Sequence, residues 1–267
     1  MNTRALLLHE WDFGLVVPIV CVLAFVAYRV RFGRLLQRRA GFFGIAVALF
    51  FIALASPIGV LARGTLFSAH MLQHLLLMLA VPPLALLGLP REPLDPPSFR
   101  LDRDRGALGY VAPWLGGVGA MWIWHARPLC NAAAVSTTVQ TFQTVSLVAL
   151  GLAFWSPILS PRRAARMAPF PAILYLFAAC IACTILGIMV TLSPVEVCSA
   201  YLHPVDSLGV LALLRDGWGL SCREDQEIGG LLMWVPACFV YAASILGTLA
   251  RYYGEEHVSP RAVGAPR

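Results

Sequence analysis

The 267-residue chain is 59% hydrophobic and only 13% charged, about half the charge fraction of an ordinary soluble domain, which excludes a water-soluble globular protein. All 20 of its basic residues are arginine and the net charge is +6, but no arginine-rich arm or basic helix with interleaved aromatics accompanies them. A nucleic-acid partner is therefore not expected, and membrane topology accounts for the basicity.

Taken in chain order, the uncharged runs predict an all-α, polytopic membrane protein with seven transmembrane helices. They lie near Phe13–Tyr28, Gly41–Ala62, Leu66–Leu89, Leu108–Trp124, Val135–Leu159, Phe170–Leu192 and Ile228–Ala250, lengths close to or above the roughly 20 residues that cross a bilayer. Helices are the economical solution, because backbone amides in lipid must bond within their own segment. The opening MNTRALLLHEWDFG lacks the shape of a signal peptide, since Glu10 and Asp12 interrupt its short apolar stretch. The first apolar run is expected to stay as a spanning helix, in a single membrane domain covering residues 1–267.

Arginines set the expected orientation. Five fall in Arg29–Arg39, four in Arg91–Arg105, three at Arg162, Arg163 and Arg166, and three at Arg251, Arg261 and Arg267. The opposite side holds Arg4, Arg63, Arg127, Arg215 and Arg223. The positive-inside bias predicts an outward N-terminus and a cytoplasmic C-terminal tail, about residues 251–267. His70, His74, His125 and His203 then lie near the outer face, with His257 inside. The longest outer connection runs from about 193 to 227, and its Val210–Leu214 is read as a small surface helix. The cytoplasmic REPLDPPSFRLDRDRG, rich in proline and mixed in charge, reads as a solvated loop.

The third span is the chemically unusual one. His70 and His74 are spaced i, i+4 and share one face, with Met78 a turn deeper on the same stripe. Imidazoles at such depth are expensive unless they face protein, water or a metal, and imidazole with thioether is a ligand set that suits copper. A histidine bonding a neighbouring helix and methionines filling the core are the plainer reading. His125, at the outward end of the fourth span, sits at similar depth and is either a third ligand or an interfacial histidine beside belt tryptophans. Cys198 and Cys222 share the outer connection, where a disulfide between them is the expected state, with copper ligation as the alternative. Cys180 and Cys183 form a CxxC inside the sixth span and are read as packing residues, with a soft metal as the alternative. Ser221 and Glu224 match a capping box opening the seventh span. Asp225 and Gln226 then either start that helix or steady a metal-bound imidazole from behind. Gly229 and Gly230 would let helices approach closely, turning Met233 and Trp234 inward. No phosphate loop, GxSxG elbow or paired intramembrane carboxylate is present, so an enzyme is not expected.

SAHMLQHLLL, PPLALLGLP, MWIWHARPL, FWSPIL and DQEIGGLLMW follow in this order. Together they resemble the CtaG-type cytochrome c oxidase assembly factors, a family of seven-helix bacterial membrane proteins, from about Ala55 to Ala250. The resemblance implies maturation of a haem–copper oxidase in the bacterial inner membrane, with copper supplied from the outer side. Oxidase subunits or other copper chaperones would be partners, and no haem is expected. It points to His70, Met71, Gln73, His74, His125, Asp225, Gln226, Met233 and Trp234. The fifth span departs from the family pattern, with Gln140 and Gln143 where many members carry histidines. Copper ligation is accordingly assigned to His70, His74, His125, Met71 and Met78, with the remaining residues behind them. An integral b-type cytochrome clamping haem between His70 or His74 and His125 is the alternative, followed by a copper permease or a structural oxidase subunit.

Overall fold

The computed structural model describes residues 11–12, 14–33, 37–90, 108–162, 165–204 and 209–256, and every regular element among them is helical. Helix α1 (Val16–Phe32) is followed by α2 (Gln37–Ala55) and the short α3 (Pro57–Leu61). Then come α4 (Phe67–Leu75), a π-helical turn at Leu76–Ala80, and α5 (Val81–Gly88), which together form one rod. After α6 (Leu108–Trp124) and the short α7 (Arg127–Val135) come α8 (Thr137–Leu159), α9 (Pro169–Leu192) and α10 (Cys222–Glu256). Four segments are long and apolar enough to cross a membrane: Phe67–Gly88, Thr137–Leu159, Pro169–Leu192 and Cys222–Gly254. The first, second and fourth predicted spans are shorter apolar helices, Val16–Phe32, Arg39–Ala55 and Leu108–Trp124.

Local chemistry explains where the predicted boundaries move. The second predicted span breaks at Ser56, whose Oγ accepts the Ile58 N–H at 3.2 Å while Pro57, with no N–H to lose, opens α3. The fifth begins afresh at Thr137, because Ser136 Oγ accepts from the Val139 N–H and ends α7 one residue earlier. The seventh starts at Cys222 rather than Ile228. Its capping box is formed as expected: the Ser221 N–H donates to Glu224 Oε2 at 2.8 Å and the Glu224 N–H to Ser221 Oγ at 3.2 Å.

The third rod is not the uninterrupted helix expected. Pro82 has no N–H to give the carbonyl four residues back, so the Met78 carbonyl would be an orphan in an apolar core. Trp155 Nε1 on α8 donates to it at 3.1 Å. Gly151 lets α8 come this close, since a Cβ there would stand 2.8 Å from Pro82 Cγ. At its far end the rod is held by Tyr28, whose hydroxyl donates to the Gly88 carbonyl at 2.7 Å.

Helix α1 packs on α2 at the edge, α4 runs against α10, α6 against α8, and α9 lies along α10. Gly229 brings α10 onto α4, because a Cβ there would sit 2.6 Å from Phe67 Cδ1. Large apolar side chains such as Val30, Phe142, Phe170, Leu192 and Phe239 point away from the protein, the reverse of a soluble surface. Trp155, Phe154, Leu147, Leu77 and Met71 fill the interior.

In the connection between α9 and α10 the short surface helix expected at Val210–Leu214 forms, with Ala212 exposed and with Val210 and Leu214 buried against Leu61 and Leu66. The cysteine pairing expected there is corrected. Cys198 pairs with Cys130 and not with Cys222. The reason is Asn131 on α7: its Oδ1 accepts the Ala200 N–H at 3.0 Å and its Nδ2 donates to Ser199 Oγ at 3.1 Å. These bonds draw the Ser199–Tyr201 turn over α7, leaving the Cys130 and Cys198 Cα atoms 5.8 Å apart. Cys222 keeps a free thiol, 3.9 Å from the Tyr201 carbonyl. The predicted Arg91–Arg105 loop, His257 and the remainder of the C-terminal tail lie outside the described residues.

Candidate metal centre

Helix α4 carries the first two histidines, and its placement is controlled from α10. Leu66, the residue before α4, offers no side-chain cap, and the exposed N–H groups of a helix start need acceptors. Asp225 provides them: Oδ2 accepts from the Phe67 N–H at 2.8 Å and Oδ1 from the Ser68 N–H at 3.0 Å. The carboxylate is buried and lies at the positive end of the α4 dipole. One turn on, Gln73 Nε2 donates to the Ala53 carbonyl at 2.8 Å and fixes α4 on α2.

Held this way, the His70 and His74 rings are tilted by 54° with centroids 4.3 Å apart, and His74 meets His125 edge-on at 5.4 Å. All three imidazoles are buried. Tyr201 closes the end beside His70, its ring 5.8 Å away and its hydroxyl donating to the Ala62 carbonyl at 2.8 Å. The ring nitrogens of His70 and His74 are buried without a well-formed hydrogen bond, although the Ala62 backbone stands toward His70 and the Gln143 side chain toward His74. Buried polar atoms are rarely left so, and an unpaired one costs free energy in an apolar interior.

His125 adds a third lone pair. Its Nδ1 lies 2.5 Å from the Met121 carbonyl, and its Nε2 lies 3.2 Å from Met71 Sδ. A neutral imidazole has a single N–H. Given to the carbonyl, that proton leaves Nε2 presenting a lone pair to a thioether that also has only lone pairs of any strength. Gln143 on α8 is buried, and its Nε2 has no partner either; it stands beside His74. The cluster thus gathers three imidazole lone pairs and a thioether, donors of the kind that bind a metal, beside the unpartnered N–H groups of His70, His74 and Gln143. Imidazole and thioether fit copper. Among the described residues, however, no three His, Cys, Asp or Glu side chains stand as a ready metal group. The donors are gathered but not closed around a point.

The predicted residues separate into two kinds. The structure brings His70, His74, His125 and Met71 together. Met78 lies a turn deeper, on a cavity that no histidine borders. Asp225, Gln226 and Gln73 spend their hydrogen bonds on backbone: Gln226 Oε1 accepts the Val197 N–H at 2.8 Å and its Nε2 donates to the Val190 carbonyl at 3.3 Å. Met233 is buried in the core, and the Trp234 ring fills the space left by Gly187, where a Cβ would stand 2.6 Å from Trp234 Cδ1. Cys180 faces Cys238 at 3.4 Å and Cys183 donates to the Met233 carbonyl at 3.3 Å, all at the α9–α10 seam. Sequence reasoning missed Tyr201 and Cys130, neither of which carries a spacing signal. It did single out Gln143, though only as a departure.

The model of the cytochrome c oxidase caa3 assembly factor family (Caa3_CtaG) matches residues 19–255. No curated protein and no solved structure is detectably similar. The match takes in α4, α6 with His125 at its end, the helix α10 that caps α4, and the seam behind. The chain belongs to the cytochrome c oxidase caa3 assembly factor family.

Proposed function

We propose that this assembly factor holds copper between α4 and α6 and passes it to a haem–copper oxidase in the same membrane. His70, His74 and His125 are the nitrogen ligands, and Met71 supplies a thioether. Seven crossings, with the arginine-rich ends of the helices inside, put this cluster near the outer face of a bacterial inner membrane. There it is within reach of oxidase subunits or of other copper chaperones. The observation that carries the reading is a pair of buried imidazoles, His70 and His74, with no well-formed hydrogen bond, set against a third at His125. A cluster that is gathered but open suits a carrier, which must release its cargo, better than a permanent centre.

The test is metal analysis of purified protein beside its His70→Ala/His74→Ala variant, with oxidase activity measured in cells that carry each. Copper retained by the parent and lost by the variant, together with loss of oxidase activity, is the expected result. Full oxidase maturation by the double variant would refute the site. A Soret band in the purified parent would instead indicate haem.

A further inference from the structure

Two of the histidine positions are repeated one helical turn deeper as methionines. His74 is followed four residues on by Met78, within the π turn, and His125, just past the end of α6, is preceded four residues back by Met121, so each thioether lies roughly one turn further from the histidine end. Both methionines are buried, and both line one small cavity together with Cys183 of α9. The cavity is about 10 Å³, on the scale of one water or one ion. Its remaining wall includes Phe154 and Tyr241, which keep it apolar.

We infer that Met78, Met121 and Cys183 form a second, all-sulfur station for Cu(I), one turn below the imidazoles. The inference rests on the copper reading above and deepens it by naming the oxidation state and a second stop. Thioether and thiol donors select the reduced, soft ion. Charge supports the same depth order. Binding replaces the S–H bond of Cys183 with a Cu–S bond and releases one proton to solvent, with no change in oxidation state, so Cu(I) plus thiolate is neutral overall. A neutral complex is far cheaper than a cation in an apolar interior, whereas Cu(I) on imidazoles and a thioether keeps its charge and belongs nearer water. The Cys183 thiol now donates to the Met233 carbonyl, a bond it gives up when it binds metal.

The test is equilibrium titration of detergent-purified, full-length protein with Cu(I), and with Ag(I) as a redox-inert stand-in. Bound metal, released protons and the sulfur signal in X-ray absorption are recorded. The parent is expected to take two equivalents. Met78→Leu/Met121→Leu/Cys183→Ser should take one, lose most sulfur scattering, and release no proton from the lost site. Leucine keeps the methionine volume and serine keeps the bond to Met233, so the variant folds; an unchanged melting profile checks this. His70→Ala/His74→Ala should also take one equivalent, with the sulfur signal retained. A sulfur variant that still takes two equivalents, a parent that takes only one, or a histidine variant that takes none overturns the second station. A histidine variant that still takes two overturns the imidazole site instead.

Discussion

Replacing Asp225 separates a cap from a metal-facing carboxylate. In Asp225→Ala the N–H groups of Phe67 and Ser68 lose their acceptors, the first of them in the buried core. An orphaned buried donor costs about 1–3 kcal/mol, so the loss of both bonds should destabilise the protein by roughly 2–4 kcal/mol. Asp225→Asn keeps one carbonyl oxygen and so one of the two bonds, but loses the charge at the α4 N-terminus; about half that cost is expected. Equilibrium unfolding in mixed micelles measures both variants, and copper content is measured on the same preparations. His70 lies within the first turn of α4 and is misplaced when that turn frays, so copper retention should fall in step with stability. An alanine variant that unfolds at the parent midpoint would refute the capping argument. An Asn variant of parental stability that loses its copper would mean that the carboxylate acts on the metal.

The other predictions concern bonds outside the histidine cluster. Cys130→Ser should cost roughly 4 kcal/mol, the loop-entropy value for a closure of about this length, since 68 residues separate the pair. Cys222→Ser should be nearly silent, and mass spectrometry of alkylated, unreduced protein should find Cys222 modified and Cys198 protected. Trp155→Phe leaves the Met78 carbonyl without its donor and should lower stability by about 1–3 kcal/mol; a phenylalanine variant matching the parent in micelle unfolding would contradict the rescue of this carbonyl. Asp12 is held below its ordinary value of 3.8 by the Gly14 N–H and then by Arg63, 2.6 Å away. A lowered carboxylate stabilises above its unfolded value and loses that contribution as pH falls through its folded one. The small stability difference between parent and Asp12→Asn should therefore be constant near neutrality and vanish in acid below pH 3.8, as followed by unfolding across a pH series.

What could be read in advance was local. The i, i+4 spacing of His70 and His74 placed them on one stripe, and Ser221 with Glu224 marked the start of α10. The glycines of α10 foretold its close approach. Apart from His125, offered as one of two readings, contacts that join distant parts of the chain were not legible. Asp225 looked like a first-turn acid of its own helix, yet it caps a helix 158 residues earlier. Cys198 had a nearer candidate in Cys222, and nothing in the spacing showed that Asn131 would draw it to Cys130. Gln143 was seen as a defect in a ligand set, while its position beside His74 depends on how α8 meets α4. Periodicity reports which face a residue shares; only packing reports what that face meets.

The π turn at Leu76–Ala80 has a consequence for how this chain is compared with its relatives. Such a turn amounts to one residue more than an α-helix needs over the same path, and each residue of a helix is worth about 100° of rotation. The stretch before it, with the imidazoles, and the stretch after it, with Pro82, are therefore indexed separately. Deleting any one residue between His74 and Pro82 would leave a smooth α-helix whose two halves could not both face their present neighbours. A relative that lacks the turn should show a single-residue gap here, and only here, when the rest of the rod is aligned.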